Sequence, residues 1–284
     1  MPGVALVLSG GGAKTAAHLG AARALAEAGL VPARYVATSM GAVIAAGLAS
    51  GVAPPALLER LTDAGRGGIV RDPWAIVRGL FARSLLRPGP FRRAIEALVP
   101  ARQFADLQVP LTVAVVDLTT GELLLFGAGG GDAPLVDVLC ASCALPLYFP
   151  AVNLAGRRCG DGGLRGVLPL EAAARVVTEP VVAVDVGPGL DTAPGESAAA
   201  PPMVRAHDEA VGALMAAHTA ALLAAWRAET GRPPLVYVRP RIERNATFQV
   251  ERMRTYAEGG YRAAREALAE RTLTATPFGA DSAT

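Results

Sequence analysis

The sequence predicts an α/β sheet protein, and three observations carry that prediction. Short apolar runs containing β-branched residues alternate with longer segments of helical period, glycine clusters stand at the junctions, and 52% of the 284 residues are hydrophobic. Val4 to Leu8 is an unbroken apolar run ending in Ser9-Gly10-Gly11-Gly12. From Ala16 to Ala28, Leu19, Ala22, Leu25 and Ala26 recur at helical spacing before Gly29 stops them, so the chain opens as strand, glycine loop and helix. Tyr35 to Thr38 reads as a second strand and Met40 to Ala49 as a second helix, which puts Ser39 at the corner between them. Further strands are expected over Leu111 to Leu118, Leu123 to Phe126 and Val181 to Val186. Further helices are expected near Leu135 to Ala144, Glu171 to Val176, Val204 to Ala228 and Val250 to Glu270. Pro188 to Pro202 reads as a loop and the residues from Thr276 onward as a frayed tail. With no repeat and no linker, the expectation is one domain over 1–275 followed by a tail over 276–284.

Composition excludes several classes. Glycine (32) and proline (22) make up about 19% of the chain, below the ~25–30% of low-complexity polypeptides, so they punctuate structure. A net charge of +2 from 27 basic and 25 acidic residues leaves no field strong enough to recruit nucleic acid. Cys140, Cys143 and Cys159 cannot all pair and have no ligand-spaced partners, which predicts free thiols in a reducing compartment and no metal. The first residues lack a basic leader, and the most hydrophobic later stretch, Ala42 to Val52, is far shorter than the ~20 residues of a membrane span; it reads as a buried helix. The expected location is cytoplasmic.

Three short segments carry chemistry. The glycine loop fails the tests for a phosphate loop, because Ala13 precedes Lys14, and for a dinucleotide fingerprint, because Thr15 stands where a third glycine belongs. What remains is a run of small residues before a helix, whose N–H groups suit a developing oxyanion. Taken alone, the loop is equally an ordinary strand-helix turn. Ala37-Thr38-Ser39-Met40-Gly41 is a sharp strand-to-helix turn that presents the Ser39 hydroxyl. Gly160-Asp161-Gly162-Gly163 offers the Asp161 carboxylate between glycines that would let the backbone turn tightly.

In this order, Gly10-Gly11-Gly12-Ala13-Lys14, Ser39 in its elbow and Asp161-Gly162-Gly163 resemble the patatin-like phospholipase family. The likeness extends through Cys140-Ala141-Ser142-Cys143-Ala144-Leu145-Pro146-Leu147-Tyr148-Phe149-Pro150 and Tyr256 to Leu268, roughly residues 4 to 270 in all. It implies a three-layer α/β/α fold with a central, mostly parallel sheet, and a serine lipid acyl hydrolase of the phospholipase, lysophospholipase or esterase type. Ser39 would be the nucleophile, Asp161 its base, and Gly10, Gly11, Gly12, Ala13 and Lys14 the oxyanion and anion-binding loop, with the N–H groups of Gly11 and Gly12 as donors. No cofactor is implied. A free aspartate has a pKa near ~3.9, so such a dyad needs a raised carboxylate pKa or exact placement of the base.

The chain departs from the family pattern at Thr15, where glycine is usual, at Ala37, also usually glycine, and at Val167, often asparagine. Thr15 is expected to cap the Ala16 helix; the alternative is that it narrows the oxyanion pocket, which would make a noncatalytic lipid- or acyl-binding relative. A third reading is an acyltransferase using the same serine. Lys14, the one lysine among 27 basic residues, would place charge beside the oxyanion or a lipid phosphate. Segment 52–108 is read as a helical cap over the acyl pocket. Within it, eight arginines from Arg66 to Arg102 face only Asp72 and Glu96 among apolar residues such as Trp74 and Phe91. That segment, 66–102, is read either as a peripheral contact with an anionic inner membrane surface or as a solvated helix face. His18, His207 and His218 are read as structural, and the cysteines as small buried residues.

Overall fold

The computed structural model describes residues 3–68, 84–189, 202–243 and 247–273. The opening apolar run becomes strand β1 (Gly3–Leu8), followed through a 3-10 turn by helix α1 (Ala16–Glu27), strand β2 (Val31–Thr38) and helix α2 (Met40–Ala49). Helices α3 (Pro54–Gly68) and α4 (Pro88–Leu98) precede β3 (Leu111–Asp117), β4 (Leu123–Gly127) and α5 (Leu135–Ser142). The chain continues through β5 (Val152–Leu154), β6 (Arg157–Asp161), a single turn α6 (Gly163–Gly166), α7 (Leu170–Val176), β7 (Val181–Val184), α8 (Pro202–Ala228), β8 (Leu235–Val238) and α9 (Met253–Leu273).

The eight strands form one mixed sheet. Strands β3, β2, β1, β7 and β8 lie side by side and parallel, while β4 and β6 run antiparallel to β3 and β5 antiparallel to β6. Alternate residues of one strand serve different faces. Val4, Leu6 and Leu8 of β1 join a core with α1, α2, α5, α9 and the Leu57, Leu61, Ile95 and Leu98 side chains of α3 and α4. Ala5 and Val7 join a second core with α7 and with Leu223 and Trp226 of α8. Helices therefore cover both sides of the sheet, the three-layer α/β/α arrangement expected above. On the first face, α1 and α9 meet backbone to backbone: a Cβ on Gly20 would lie 1.7 Å from the Ala257 carbonyl oxygen, and one on Gly260 1.9 Å from that of Ala17.

Register explains how distant segments converge. On β3, β4 pairs with residues 112–116, overlapping both β2, which pairs with 111–114, and β6, which pairs with 115–117. Strands β2 and β6 must therefore share the other edge of β3, end to end and pointing at each other. The last pairs are Thr38 with Ala114 and Asp161 with Val115, so the residue after β2 and the last residue of β6 arrive together. Strand β1 ends beside them, with the chain leaving to β2 on one side and returning at β7 on the other, the switch point at which α/β sheets open a crevice.

Several expectations shift. Strand β2 starts at Val31 rather than Tyr35, because pairing with β1 extends through Pro32 and Arg34 with an irregularity between Val4 and Ala5. Strands β5, β6 and β8 were not expected from the sequence. The strand expected to Val186 ends at Val184, after which Asp185 folds back on its own loop with Oδ1 accepting from the Gly187 N–H. Stretch Ala42 to Val52 is indeed mostly buried helix, but the described helix long and apolar enough by length and composition to cross a membrane is α8, with 28% of its apolar window buried. Its alanines spread the hydropathy over a long element, so no short run stands out. Residues 69–83 of the basic segment, including Trp74 and Arg78, most of the 188–202 loop, and the tail over 276–284 lie outside the described residues.

Candidate active site

Ser39 occupies the β2–α2 corner with φ 54° and ψ −140°. Such a conformation costs a non-glycine residue on the order of 1–3 kcal/mol and persists only when its surroundings over-determine it. The surroundings are specific. Gly41 lies so close to the end of β1 that a Cβ there would stand 2.3 Å from the Ser9 carbonyl oxygen, and a Cβ on Gly10 would stand 2.9 Å from that of Ser39. The Ser39 N–H donates to the Ser142 hydroxyl at 2.8 Å, and that hydroxyl donates to the Ala114 carbonyl at 2.8 Å. Ser142 is fully buried at the end of α5, so one side chain ties the corner to β3. Sequence reasoning placed Ser142 in the family-like segment but assigned it no role.

Asp161 ends β6, its own N–H donating to the Ala144 carbonyl at 3.1 Å. Its Oδ1 accepts from the Gly163 N–H at 2.7 Å and its Oδ2 from the Ser39 hydroxyl at 2.8 Å. The glycines after it serve through size and not through special dihedrals. Gly162 sits at φ −60°, but a Cβ on it would lie 2.2 Å from Thr38 Oγ1 and 2.3 Å from the Ala114 carbonyl oxygen. Burial pushes the Asp161 carboxyl up to about 6, with the Gly163 N–H and the Ser39 hydroxyl pulling the other way. A carboxylate so tuned is a better-matched base at neutral pH than a free aspartate.

The glycine loop divides its donors. The Gly10 N–H is taken by the Val167 carbonyl at 2.9 Å and that of Ala13 by the Thr247 carbonyl at 2.8 Å, so these two expected members hold the loop in place. The N–H groups of Gly11 and Gly12 have no acceptor among the described residues. Lys14 is only 2% exposed and is not among the described residues lining the cavity beside Ser39. Thr15 does not cap α1 through its side chain; its hydroxyl donates back to the Gly12 carbonyl at 2.7 Å. Thr15 is likewise absent from the described lining of the cavity. Val167 acts on Gly10 through a main-chain carbonyl, which any residue supplies, and the Ala37 methyl is absorbed in the first core.

Ser39 and Asp161 line a cavity of about 100 Å³ that opens to solvent. Leu61 of α3, Phe91, Ile95 and Leu98 of α4, and Phe149 and Phe248 give it an apolar wall, with Phe91 and Phe149 stacked at 4.5 Å. Cys143 also lines it, buried, with its thiol pushed well up chiefly by desolvation. The sequence marks this cysteine only as a small buried residue, and it carries no local sign of the wall formed by residues 247–253. His18 is fully buried, its Nε2 2.8 Å from the Ser9 carbonyl oxygen, and burial pushes it down to about 4, consistent with a structural neutral imidazole. Among the described residues no cluster of three or more His, Cys, Asp or Glu could hold a metal.

The family model described as Patatin-like phospholipase matches residues 6–174. An uncharacterized NTE family protein of Mycobacterium tuberculosis is 30% identical over 203 residues, which is 69% of this chain and 54% of that protein. Patatin-like phospholipase domain-containing protein 6 of Homo sapiens is 29% identical over 191 residues, 65% of this chain and 13% of that protein. The chain thus spans about half the length of the first of these relatives and far less of the second. Among solved structures, VipD from Legionella pneumophila aligns with a TM-score of 0.46 at 16% identity, covering 94% of this chain and 67% of that one. The ExoU-SpcU complex from Pseudomonas aeruginosa aligns with a TM-score of 0.43 at 16% identity, covering 95% and 52%. With the family model spanning more than half of its residues, including Ser39 and Asp161, this chain belongs to the patatin-like phospholipase family.

Proposed function

We propose that the chain hydrolyses fatty acyl esters of lipids through Ser39 and Asp161, without a cofactor. The observation that carries this reading is the 2.8 Å hydrogen bond from the Ser39 hydroxyl to Asp161 Oδ2 at the mouth of an apolar cavity. As Ser39 Oγ bonds to the ester carbonyl carbon, its proton passes to Asp161, and the carbonyl oxygen becomes an oxyanion received by the N–H groups of Gly11 and Gly12. Collapse breaks the bond to the leaving alcohol, which takes the proton from Asp161. A water then attacks the acyl-serine, giving its proton to Asp161, and the released Ser39 oxygen recovers it. The apolar wall would hold the acyl chain and exclude water from the developing charge.

The same reading carries a peripheral contact with anionic membrane at the cytoplasmic inner surface through 66–102, where exposed Arg87 follows cavity-lining Leu86 and exposed Arg93 lies on α4, which carries cavity-lining Phe91 and Ile95. Three measurements test the proposal. Short- and long-chain p-nitrophenyl esters should be cleaved by the wild type and not by Ser39→Ala or Asp161→Asn, and a fluorophosphonate probe should label Ser39. A wild type inert in both assays removes the hydrolase reading. Sedimentation with anionic vesicles should weaken when Arg87 and Arg93 are replaced by Gln; unchanged sedimentation removes the membrane contact.

A further inference from the structure

The glycine loop carries one side-chain contact that follows from its departure at Thr15, which stands where glycine is usual. Gly12 has φ 58°, and a Cβ on it would fall 2.2 Å from the Thr247 carbonyl oxygen. The peptide that follows Gly12 is held at both ends: its carbonyl accepts from the Thr15 hydroxyl at 2.7 Å, and its N–H, that of Ala13, donates to Thr247 at 2.8 Å. The neighbouring carbonyls are engaged as well, that of Gly10 by the Ser9 hydroxyl at 3.1 Å and that of Gly11 by the Lys14 N–H at 3.3 Å. Every carbonyl from Gly10 to Gly12 therefore already accepts a hydrogen bond, and that from Thr15 is the shortest of these three. A peptide flip that turned a carbonyl toward Ser39 would break at least one of them. A threonine that merely bonds back into its own helical turn is common. Here, however, the bonded carbonyl belongs to a left-handed glycine that lines the catalytic cavity, and the other end of the same peptide is anchored on a segment more than 200 residues away.

We infer that Thr15 is a positioning residue for the oxyanion loop, its hydroxyl and the Thr247 carbonyl clamping the Gly12–Ala13 peptide so that the N–H groups of Gly11 and Gly12 remain available to the reacting oxygen. This rests on the hydrolase reading above. The clamp acts on charge that exists only in the transition state, so its loss lowers kcat and leaves KM almost unchanged.

Thr15→Val removes the hydroxyl and keeps the shape, Thr15→Ser keeps the hydroxyl, and Thr15→Ala provides a smaller replacement should valine fail to fold. With a p-nitrophenyl ester, Thr15→Val and Thr15→Ala should lose about ten- to a hundredfold in kcat, less than the 10²–10³ typical of deleting an oxyanion donor outright. KM should stay within about twofold, and the rate of fluorophosphonate labelling at Ser39 should fall in parallel. Thr15→Ser should recover to within about threefold of wild type, and the acid limb of the pH profile should stay where Asp161 sets it. Folded Val or Ala variants with wild-type kcat overturn the clamp alone, as does a Ser variant as impaired as Val, which would mean that the methyl and not the hydroxyl matters. A wild type that neither hydrolyses esters nor labels overturns the hydrolase reading and the clamp with it.

Discussion

The Ser39 corner carries its cost in the backbone, at φ 54° and ψ −140°, whereas the Asp161 turn has an ordinary backbone, with Gly162 at φ −60°, and carries its cost in solvation, as a carboxyl that burial pushes up to about 6. The two side chains touch, yet the fold restrains them differently. The corner is pinned by the hydrogen bond that the Ser39 N–H donates to the Ser142 hydroxyl and by glycines that let β1 and α2 approach. The carboxylate is placed by the pairing of β6 with β3 and kept ionisable by only two short hydrogen bonds. A nucleophile needs direction, which backbone geometry supplies; a base needs a suitable proton affinity, which the local dielectric supplies.

The largest expected effect breaks both regions at once. Ser39→Ala and Asp161→Asn should each lower kcat on a p-nitrophenyl ester by about a thousandfold or more, and the double variant should lose little further, since the residues act as a unit. In the wild type, kcat/KM should fall about tenfold per pH unit below about 6, because protonated Asp161 cannot take the serine proton. A rate that is flat from pH 7 to pH 5 would place the base elsewhere.

Stability separates the two costs. The folded-state pKa of Asp161 lies above its ordinary 3.8, so folding favours the protonated form. Its contribution is therefore fully present below about 4 and is lost as pH rises through about 6. Asp161→Asn, which mimics the neutral carboxyl, should then raise stability by on the order of 2–3 kcal/mol at pH 8 and by little at pH 4, read from urea unfolding at both values. Next in size, Ser142→Ala should strip the Ser39 N–H of its acceptor, costing about 1–3 kcal/mol and lowering kcat with it. The smallest effect is Ser39→Gly, which should abolish hydrolysis while gaining about 1 kcal/mol by removing the left-handed strain. If it destabilises instead, the corner is not strained in the sense argued here.

The parallel half of the sheet was readable because its strands are continuous apolar runs next to glycine punctuation. Of the antiparallel strands, β4 was readable as the apolar run Leu123 to Phe126, but β5 and β6 were not. Arg157-Arg158-Cys159-Gly160-Asp161 has little strand propensity of its own and becomes β6 only because β3 offers an edge beyond the end of β2. Strand β8 carries a local signal, Leu235-Val236-Tyr237-Val238 between prolines, but it is only four residues long. Thr15 was legible as a residue at a helix start, but its hydroxyl chose the Gly12 carbonyl over a capping role.

By itself, the sequence determined the α/β class, the strand-loop-helix opening, the corner that presents Ser39 and the aspartate among glycines, because period, β-branching and glycine act over a few residues. Tertiary structure alone decided that Ser39 and Asp161 stand 2.8 Å apart across 122 residues, that Ser142 holds the corner, that Thr247 holds the loop, and that burial pushes the Asp161 carboxyl up to about 6. Those properties depend on strand register and on the exclusion of water, and both arise from contacts between segments that no local pattern records.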